Sequence, residues 1–293
     1  MRRQWQYHVL LIPAIVLVFI FSYIPLYGLI IAFQKYNPAM GYASPWVGLG
    51  NFKYLFSQPN FVQTIWNTFY IAIFKIAGGI IVPVTFSLLL NEVRKIAAKR
   101  TFQTIVYMPN FLSWVILGGV MIDILSLEGI VNSGLLLLGV AKPISFLGNQ
   151  DVFPWTMIFS DIWKTFGFGT VIYLAALTSI DPGLYEAAIV DGAKRWKQTR
   201  YITIPMIMST IVLMTILSLG NVLNAGFDQI YNLYSPIVYK TGDIIDTYVY
   251  RLGIQQAQYS VGTAVGMFKS VISAIMILLS YYLADRFAGY RVF

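Results

Sequence analysis

The chain has 293 residues, of which 58% are hydrophobic and 11% charged, and its mean hydropathy is +0.69. A soluble domain is about a quarter charged, so this composition excludes an ordinary water-soluble domain and predicts an integral membrane protein. With no cysteine and only one histidine, His8, the chain lacks the residues for a disulfide, a thiol nucleophile or a two-histidine zinc site. The net charge of +8 is explained better by orientation in a membrane than by nucleic-acid binding, and we expect no metal or cofactor.

Hydrophobic runs predict an all-α fold with six membrane-spanning helices, since each run is long enough to cross a bilayer. The six runs are residues 9–33, 66–91, 104–125, 154–179, 203–225 and 261–284. No cleavage site follows the first run, which we expect to be retained. The whole chain, 1–293, is predicted to be a single transmembrane domain.

Basic residues predict the orientation of these helices. If the N-terminus is cytoplasmic, the inner segments carry twelve Lys and Arg residues and the outer segments carry five. Arg2, Arg3 and Arg291 belong to the twelve. The positive-inside rule therefore predicts that both termini and the loops 92–103 and 180–202 are cytoplasmic. The outer segments are rich in Gly, Pro, Asn and aromatic residues, which predicts ordered turns and short helices.

Four charged residues fall inside the predicted spans, at similar depths below the outer surface: Lys75, Asp161, Lys164 and Lys269. Charges at membrane depth are costly and indicate function by default, so these four predict a water-filled or mutually paired outer cavity. Two alternatives stay open. Asp161 and Lys164 are three residues apart on one helix and can neutralise each other, and Lys75 can extend toward the surface.

Sugar contacts need hydrogen-bonding side chains and aromatic rings. Asn221 and Asn224 are three residues apart at the end of the fifth span, and Asp228 follows on the same face if the helix continues. Trp163 and Tyr173 are the candidate ring platforms. Hydrogen bonds between helices explain the asparagines equally well.

The loop 180–202 is the most polar interruption of the apolar pattern. Asp181 followed by Pro182 predicts a helix N-terminus, and Gly192 suits a turn with positive φ. A second helix is then expected to lead into the fifth span. The loop is either a solvated connector or a docking element, and a short capped helix bearing Ala187 and Ala188 favours docking to a groove in a partner.

This loop resembles a known signature. Glu186-Ala187-Ala188, Asp191-Gly192-Ala193 and then Ile202–Pro205 resemble the EAA motif of the membrane subunits of binding-protein-dependent ABC importers. Trp46–Phe56 resembles the first outer loop of carbohydrate-importer permeases. Phe227–Val238 resembles the branch that serves oligosaccharides and polysaccharide fragments in Gram-positive bacteria.

The resemblance implies a type I, maltose-permease-like fold in a bacterial plasma membrane, in which the chain forms half of a channel. It implies four kinds of partner: a second, non-identical permease, two cytoplasmic ABC ATPase subunits, an extracellular sugar-binding lipoprotein and the carbohydrate itself. The loop would be a coupling helix. In it, Glu186 and Asp191 would act as ionic and capping anchors, Ala187 and Ala188 as the contact face and Gly192, with Ala193 after it, as the turn.

The sequence gives less support to other functions. An ion-coupled secondary transporter, with Asp123 or Asp161 as the proton site, stays open. Gly262–Ser270 looks like a phosphate loop, but two residues separate its second glycine from its lysine where the motif allows none. We therefore expect no ATP hydrolysis by this chain, no catalytic residue and no enzyme activity, and we expect Gly262 and Gly266 to form a helix-packing face.

Overall fold

The computed structural model describes residues 5–288, so Arg2, Arg3 and Arg291 of the charge count lie outside the described residues. The described chain is helical. Its α-helices are α1 (Trp5–Val18), α2 (Gly50–Ser57), α3 (Pro59–Asn91), α4 (Ile96–Tyr107), α5 (Trp114–Ile124), α6 (Ile130–Leu137), α7 (Phe153–Thr178), α8 (Pro182–Val190), α9 (Arg195–Gln198), α10 (Ile204–Gly220), α11 (Phe227–Leu233), α12 (Tyr239–Gly242), α13 (Ile245–Tyr250) and α14 (Tyr259–Ala288). Shorter 3₁₀ and π segments are Phe19–Tyr23, Ile24–Phe33, Met108–Phe111, Thr199–Thr203, Pro236–Val238 and Arg251–Gln255.

Among the described residues, four helical stretches are long and apolar enough to cross a membrane. They are Val9–Phe33, Pro59–Asn91, Arg195–Gly220 and Tyr259–Leu283. A fifth candidate is a bent pair of helices, Ile96–Phe111 and Trp114–Ile124. The predicted fourth span corresponds to α7, whose 26 residues are long enough but whose polar side chains lower its hydropathy below that of the other candidates.

The prediction of one straight helix over residues 104–125 is wrong. The two halves meet at 104°, and the first half ends in a 3₁₀ turn, Met108–Phe111. Pro109, which has no N–H to donate, lies in that turn. Ser113 then caps the next helix by accepting a hydrogen bond from the Ile116 N–H at 3.3 Å. The sequence therefore ends one helix and starts another inside an apolar run.

The predicted span 203–225 also ends early. Its helix is the continuous stretch Arg195–Gly220, in which a π segment at Thr199–Thr203 joins α9 to α10. After Gly220 the chain turns, and Gly226 adopts φ +98° before α11 begins. A left-handed residue cannot continue an α-helix, so Asp228 belongs to a separate helix.

The first predicted span, 9–33, is helical throughout but changes form along its length, from α to π at Phe19 and to 3₁₀ at Ile24. The second predicted span, 66–91, lies in α3, which begins earlier, at Pro59. Short helices are expected in the segments predicted to lie outside, and α2, α6 and α11–α13 confirm the helices themselves.

Contacts within the chain define two compact units. One contains the chain up to Val62 together with Tyr248–Ser270, and the other contains Gln63–Thr247 together with the chain from Val271 onward. The first unit has an aromatic cluster in which Phe56 and Phe61 pack against each other and against Phe268.

The second unit holds both candidate sites. Its buried core at one end of α3, α7 and α10 contains Leu90, Leu174, Leu177, Ile180 and Ile207. Near the middle of α7, a Cβ on Gly167 would lie 2.0 Å from the Val106 carbonyl oxygen. Only glycine lets α7 and α4 approach this closely, as small residues do at helix contacts in membranes.

Candidate functional sites: a polar cavity and the α8 loop

A polar cavity of about 440 Å³ lies within the second unit, among the helices α3, α7 and α10. We call it the polar cavity. It is lined by Ala72, Lys75, Ile76, Gly79, Asp161, Met214, Leu217, Ser218, Asn221, Asn224, Ala225 and Gly226. Three of the residues that the sequence singled out as substrate contacts, Asp161, Asn221 and Asn224, therefore meet at one cavity, together with Lys75.

Lys75 is the buried cation of this cavity, with 8% of its side chain exposed. Its Nζ lies 3.7 Å from Asp161 Oδ1, and Asp161 is one quarter exposed. The prediction of a paired charge cavity is thus confirmed for these two residues. Lys75 does not extend to the surface, and Asp161 pairs across helices rather than with Lys164 on its own helix.

Gln229 links Lys75 to α7 through hydrogen bonds. Its fully buried amide accepts a hydrogen bond from Lys75 Nζ. The same amide donates to the carbonyl of Met157 at 2.9 Å and to Ser160 Oγ at 2.8 Å. A buried polar group must be satisfied in this way, and here the satisfied network joins α3, α7 and the start of α11.

Asn221 and Asn224 do not share a helical face as predicted, because α10 ends at Gly220 and Asn221 is its C-cap. The turn nevertheless brings them together. Asn224 Nδ2 donates to Asn221 Oδ1 at 3.4 Å, and both side chains line the cavity. Asp228 lies in the first turn of α11, is exposed, and is not among the lining residues.

The other predicted contacts are not at this cavity. Lys164 is buried, donates to the Asn110 carbonyl at 3.1 Å and lies 5.6 Å from the ring centroid of Trp114. Trp163 lines a separate, almost wholly apolar cavity of about 530 Å³ against α5. Tyr173 is 2% exposed in the core of α7. Lys269 belongs to the first unit.

The α8 loop, residues 180–202, has the local structure that the sequence predicts. Asp181 Oδ1 accepts a hydrogen bond from the Gly183 N–H at 2.9 Å, and Pro182 follows at the first helical position. At the other end, Gly192 adopts φ +73°. The Gly192 N–H donates to the Ile189 carbonyl and the Ala193 N–H to the Ala188 carbonyl, which is a Schellman C-cap.

The α8 loop exposes both charged and apolar side chains. Glu186, Ala187 and Asp191 are exposed, while Ala188 and Ala193 are partly buried. The neighbouring apolar side chains Ile189, Val190 and Trp196 are also exposed, at 62%, 88% and 72%. Exposed apolar side chains gathered in one loop favour an interaction surface over a solvated connector.

A groove of about 450 Å³ lies beside the α8 loop, between it and the end of α3. Across it, the exposed side chains of Arg195 and Glu92 form an ion pair. Tyr185 and Thr203 also line the groove, and their hydroxyl oxygens lie 3.0 Å apart. Sequence reasoning missed these contacts and Gln229, because the partners are far apart in the chain. The available sequence signal was Gln229 itself, the glutamine directly before "IYNLY".

Comparison with known proteins identifies the family. The model of the family "binding-protein-dependent transport system inner membrane component" matches residues 76–290. Protein LplB of Bacillus subtilis is 41% identical over 98% of this chain and 90% of its own length. The polygalacturonan/rhamnogalacturonan transport system permease protein YteP of the same organism is 39% identical over 97% and 89%.

A solved structure is also similar over nearly the whole chain. It is a chain of a bacterial alginate ABC transporter in complex with an alginate pentasaccharide-bound periplasmic protein. The TM-score is 0.90 and the identity 37%, over 99% of this chain and 98% of that one. The chain therefore belongs to the family of binding-protein-dependent transport system inner membrane components.

Proposed function

We propose that the chain is a permease subunit of an ATP-driven ABC importer and forms half of the pathway for an oligosaccharide or a polysaccharide fragment. The observation that carries this proposal is the polar cavity among the helices. Asp161, Ser218, Asn221 and Asn224 present a carboxylate, a hydroxyl and two amides to it. These are the groups that exchange hydrogen bonds with sugar hydroxyls. The names of the relatives YteP and the alginate transporter support a polysaccharide fragment as cargo.

The proposal includes six spans with both termini in the cytoplasm, α7 being the fourth span and the bent pair α4–α5 the third. The break in that pair is tolerated at membrane depth because Lys164 and the neighbouring helix satisfy and cover it. A second, non-identical permease subunit would complete the channel, and an extracellular sugar-binding lipoprotein would load it.

The α8 loop would be the coupling helix, one on each permease, docked to a cytoplasmic ATPase. Its exposed helix has a capped start, a fixed glycine turn and an apolar patch beside Glu186 and Asp191. A short, exposed helix with small residues and flanking charges suits a groove in a partner protein. ATP hydrolysis itself would belong to that partner.

Transport in vesicles tests the proposal. The chain, its partner permease, the ATPase and the binding protein are reconstituted, and uptake of galacturonan and alginate oligosaccharides is measured with lactose as a comparison sugar. We expect uptake that requires internal ATP and continues when an uncoupler removes the proton gradient. Uptake that stops with the uncoupler while ATP is preserved would instead support an ion-coupled secondary transporter.

A further inference from the structure

The buried ammonium of Lys75 supports the backbone just beyond the end of α10. Its Nζ donates to the carbonyl of Ala225 at 2.8 Å, and Ala225 itself is fully buried. A charged group within a membrane-spanning helix is costly unless it is paired or used. Here the ammonium hydrogen-bonds to the backbone segment that follows directly after Asn224.

Gly226 makes room for this contact. A Cβ on Gly226 would lie 2.8 Å from Lys75 Nζ, and the residue adopts φ +98°, which side chains disfavour. The ammonium thus rests against a glycine that also makes the left-handed turn into α11. The ammonium of Lys75 therefore occupies space that a side chain at residue 226 would need.

The same ammonium has a second hydrogen-bond acceptor. It donates to Gln229 Oε1, and Gln229 is held on α7 by Met157 and Ser160. Its third side faces Asp161 at 3.7 Å. Two of the three N–H donors of the ammonium are thus committed to Ala225 and Gln229, and the charge is balanced by Asp161, so Lys75 serves the protein's own turn before it can serve a sugar hydroxyl.

We propose that Lys75 is a positioning residue for sugar passage: it holds the turn 221–226 against α3 and α7 and so fixes where Asn221 and Asn224 present their amides to the cavity. This inference rests on the proposed function, because it assigns a role within that cavity. It predicts that losing Lys75 changes which sugars pass, beyond lowering the rate for all of them.

A spin label tests the positioning without relying on transport. The chain has no cysteine, so Asn221→Cys accepts a single nitroxide label on the turn. Lys75→Met, which keeps an unbranched side chain only one atom shorter but removes its donors, should increase the mobility of this label. Gly226→Ala should do the same with the charge retained. Lys164→Met removes an equally buried lysine away from the cavity and should leave the spectrum unchanged. An unchanged spectrum in both Lys75→Met and Gly226→Ala would overturn the inference.

Transport with the natural Asn221 provides the second measurement. In Lys75→Met we expect the uptake ratio of a galacturonan pentasaccharide to a trisaccharide to change by about tenfold, since small displacements of contact groups have effects of this size or larger. Lys75→Met/Asp161→Asn restores charge balance without restoring the contact to Ala225. If that double variant regains the wild-type ratio, Lys75 serves only to neutralise Asp161 and the inference is wrong. If the wild-type complex takes up neither galacturonan nor alginate oligosaccharides, the proposed function fails, while the label spectra still decide the positioning.

Discussion

At the scale of single residues, Gly192 fixes the shape of the α8 loop. Its φ of +73° lets the last turn of α8 close through the paired hydrogen bonds to Ile189 and Ala188. No atom outside its chain neighbours lies within 4 Å of the position that a Cβ would occupy. The requirement for glycine is therefore conformational rather than steric.

Gly192→Val tests whether the left-handed backbone conformation of residue 192 is needed for docking, because the site has room for a side chain. A β-branched residue at this φ costs about 1–3 kcal/mol, so we expect the loop to rearrange and the ATPase to co-purify poorly with the permease. Gly192→Asn is the matched control, because asparagine tolerates the left-handed region, and it should retain most of the binding. Equal co-purification of the Val variant and wild type would show that the turn is not part of the docking surface.

Asn224 is the residue whose substitution most directly probes the polar cavity. Asn224→Leu preserves approximate size but removes the amide that lines the cavity and donates to Asn221. We expect a lower rate of uptake or a shifted sugar preference in an assembled complex. Asp228→Asn is the control, because Asp228 is exposed and is not among the lining residues. Wild-type rate and selectivity in Asn224→Leu would remove this residue from the pathway.

Residues whose role is decided by their immediate neighbours could be predicted from the sequence. The cap at Asp181 and the turn at Gly192 depend on four or five consecutive residues, and both are confirmed. The contact of Lys75 with Ala225 and Gln229 joins residues 150 or more positions apart. Nothing in local spacing encodes such a pair, so the sequence indicated that the lysine was unusual without identifying its partners.

At the scale of elements, the break between α4 and α5 is the main departure from the predicted spans. The C-terminal end of the first half leaves the Asn110 carbonyl without a helical partner, and Lys164 donates to it. The same ammonium lies over the ring of Trp114, at the start of the second half. One lysine of α7 therefore contacts both sides of the break.

Lys164→Met should accordingly destabilise the fold while leaving sugar selectivity intact. Removing one partner of a buried hydrogen bond costs about 1–3 kcal/mol, which should appear as a lower melting temperature in detergent. Lys197→Met, at an exposed lysine of the α8 loop, is the control. A selective loss of one sugar with unchanged thermal stability would return Lys164 to the substrate pathway, as the sequence had suggested.

Hydropathy predicted where these helices lie but not where they are interrupted. Long apolar runs predict where helices lie, because the bilayer demands apolar length. The apolar runs continue through Met108–Phe111 and past Gly220, although the backbone there departs from the α-helix. Such breaks depend on proline, glycine and a distant cation, none of which lowers hydropathy enough to be noticed.

At the scale of the whole molecule, one long helix connects the two candidate sites within the second unit. The helical stretch Arg195–Gly220 has 26 residues and is about 39 Å long at 1.5 Å per residue. It starts in the α8 loop and ends at the turn that carries Asn221. A rigid element of this kind can transmit a displacement of the loop to the cavity.

Orientation can be tested with the cysteine-free chain. The positive-inside count predicts that Lys197→Cys is protected from an impermeant external reagent in intact cells, whereas Lys142→Cys, in an outer loop, is labelled. Both lysines are exposed, so burial does not confuse the comparison. Labelling after permeabilisation is the control for Lys197→Cys. External labelling of that variant in intact cells would reverse the proposed topology.

The central claim is that the α8 loop couples sugar in the cavity to an ATPase in the cytoplasm. Sugar-stimulated ATP hydrolysis by the reconstituted complex tests this most directly, with Glu186→Lys compared with Glu128→Lys, a charge reversal at another exposed acid, in a loop predicted to lie outside. A mismatched charge at an interface costs several kcal/mol, so stimulation should fall about tenfold or more in Glu186→Lys and stay near wild type in Glu128→Lys. Equal stimulation in Glu186→Lys and wild type would mean that the loop is only a connector.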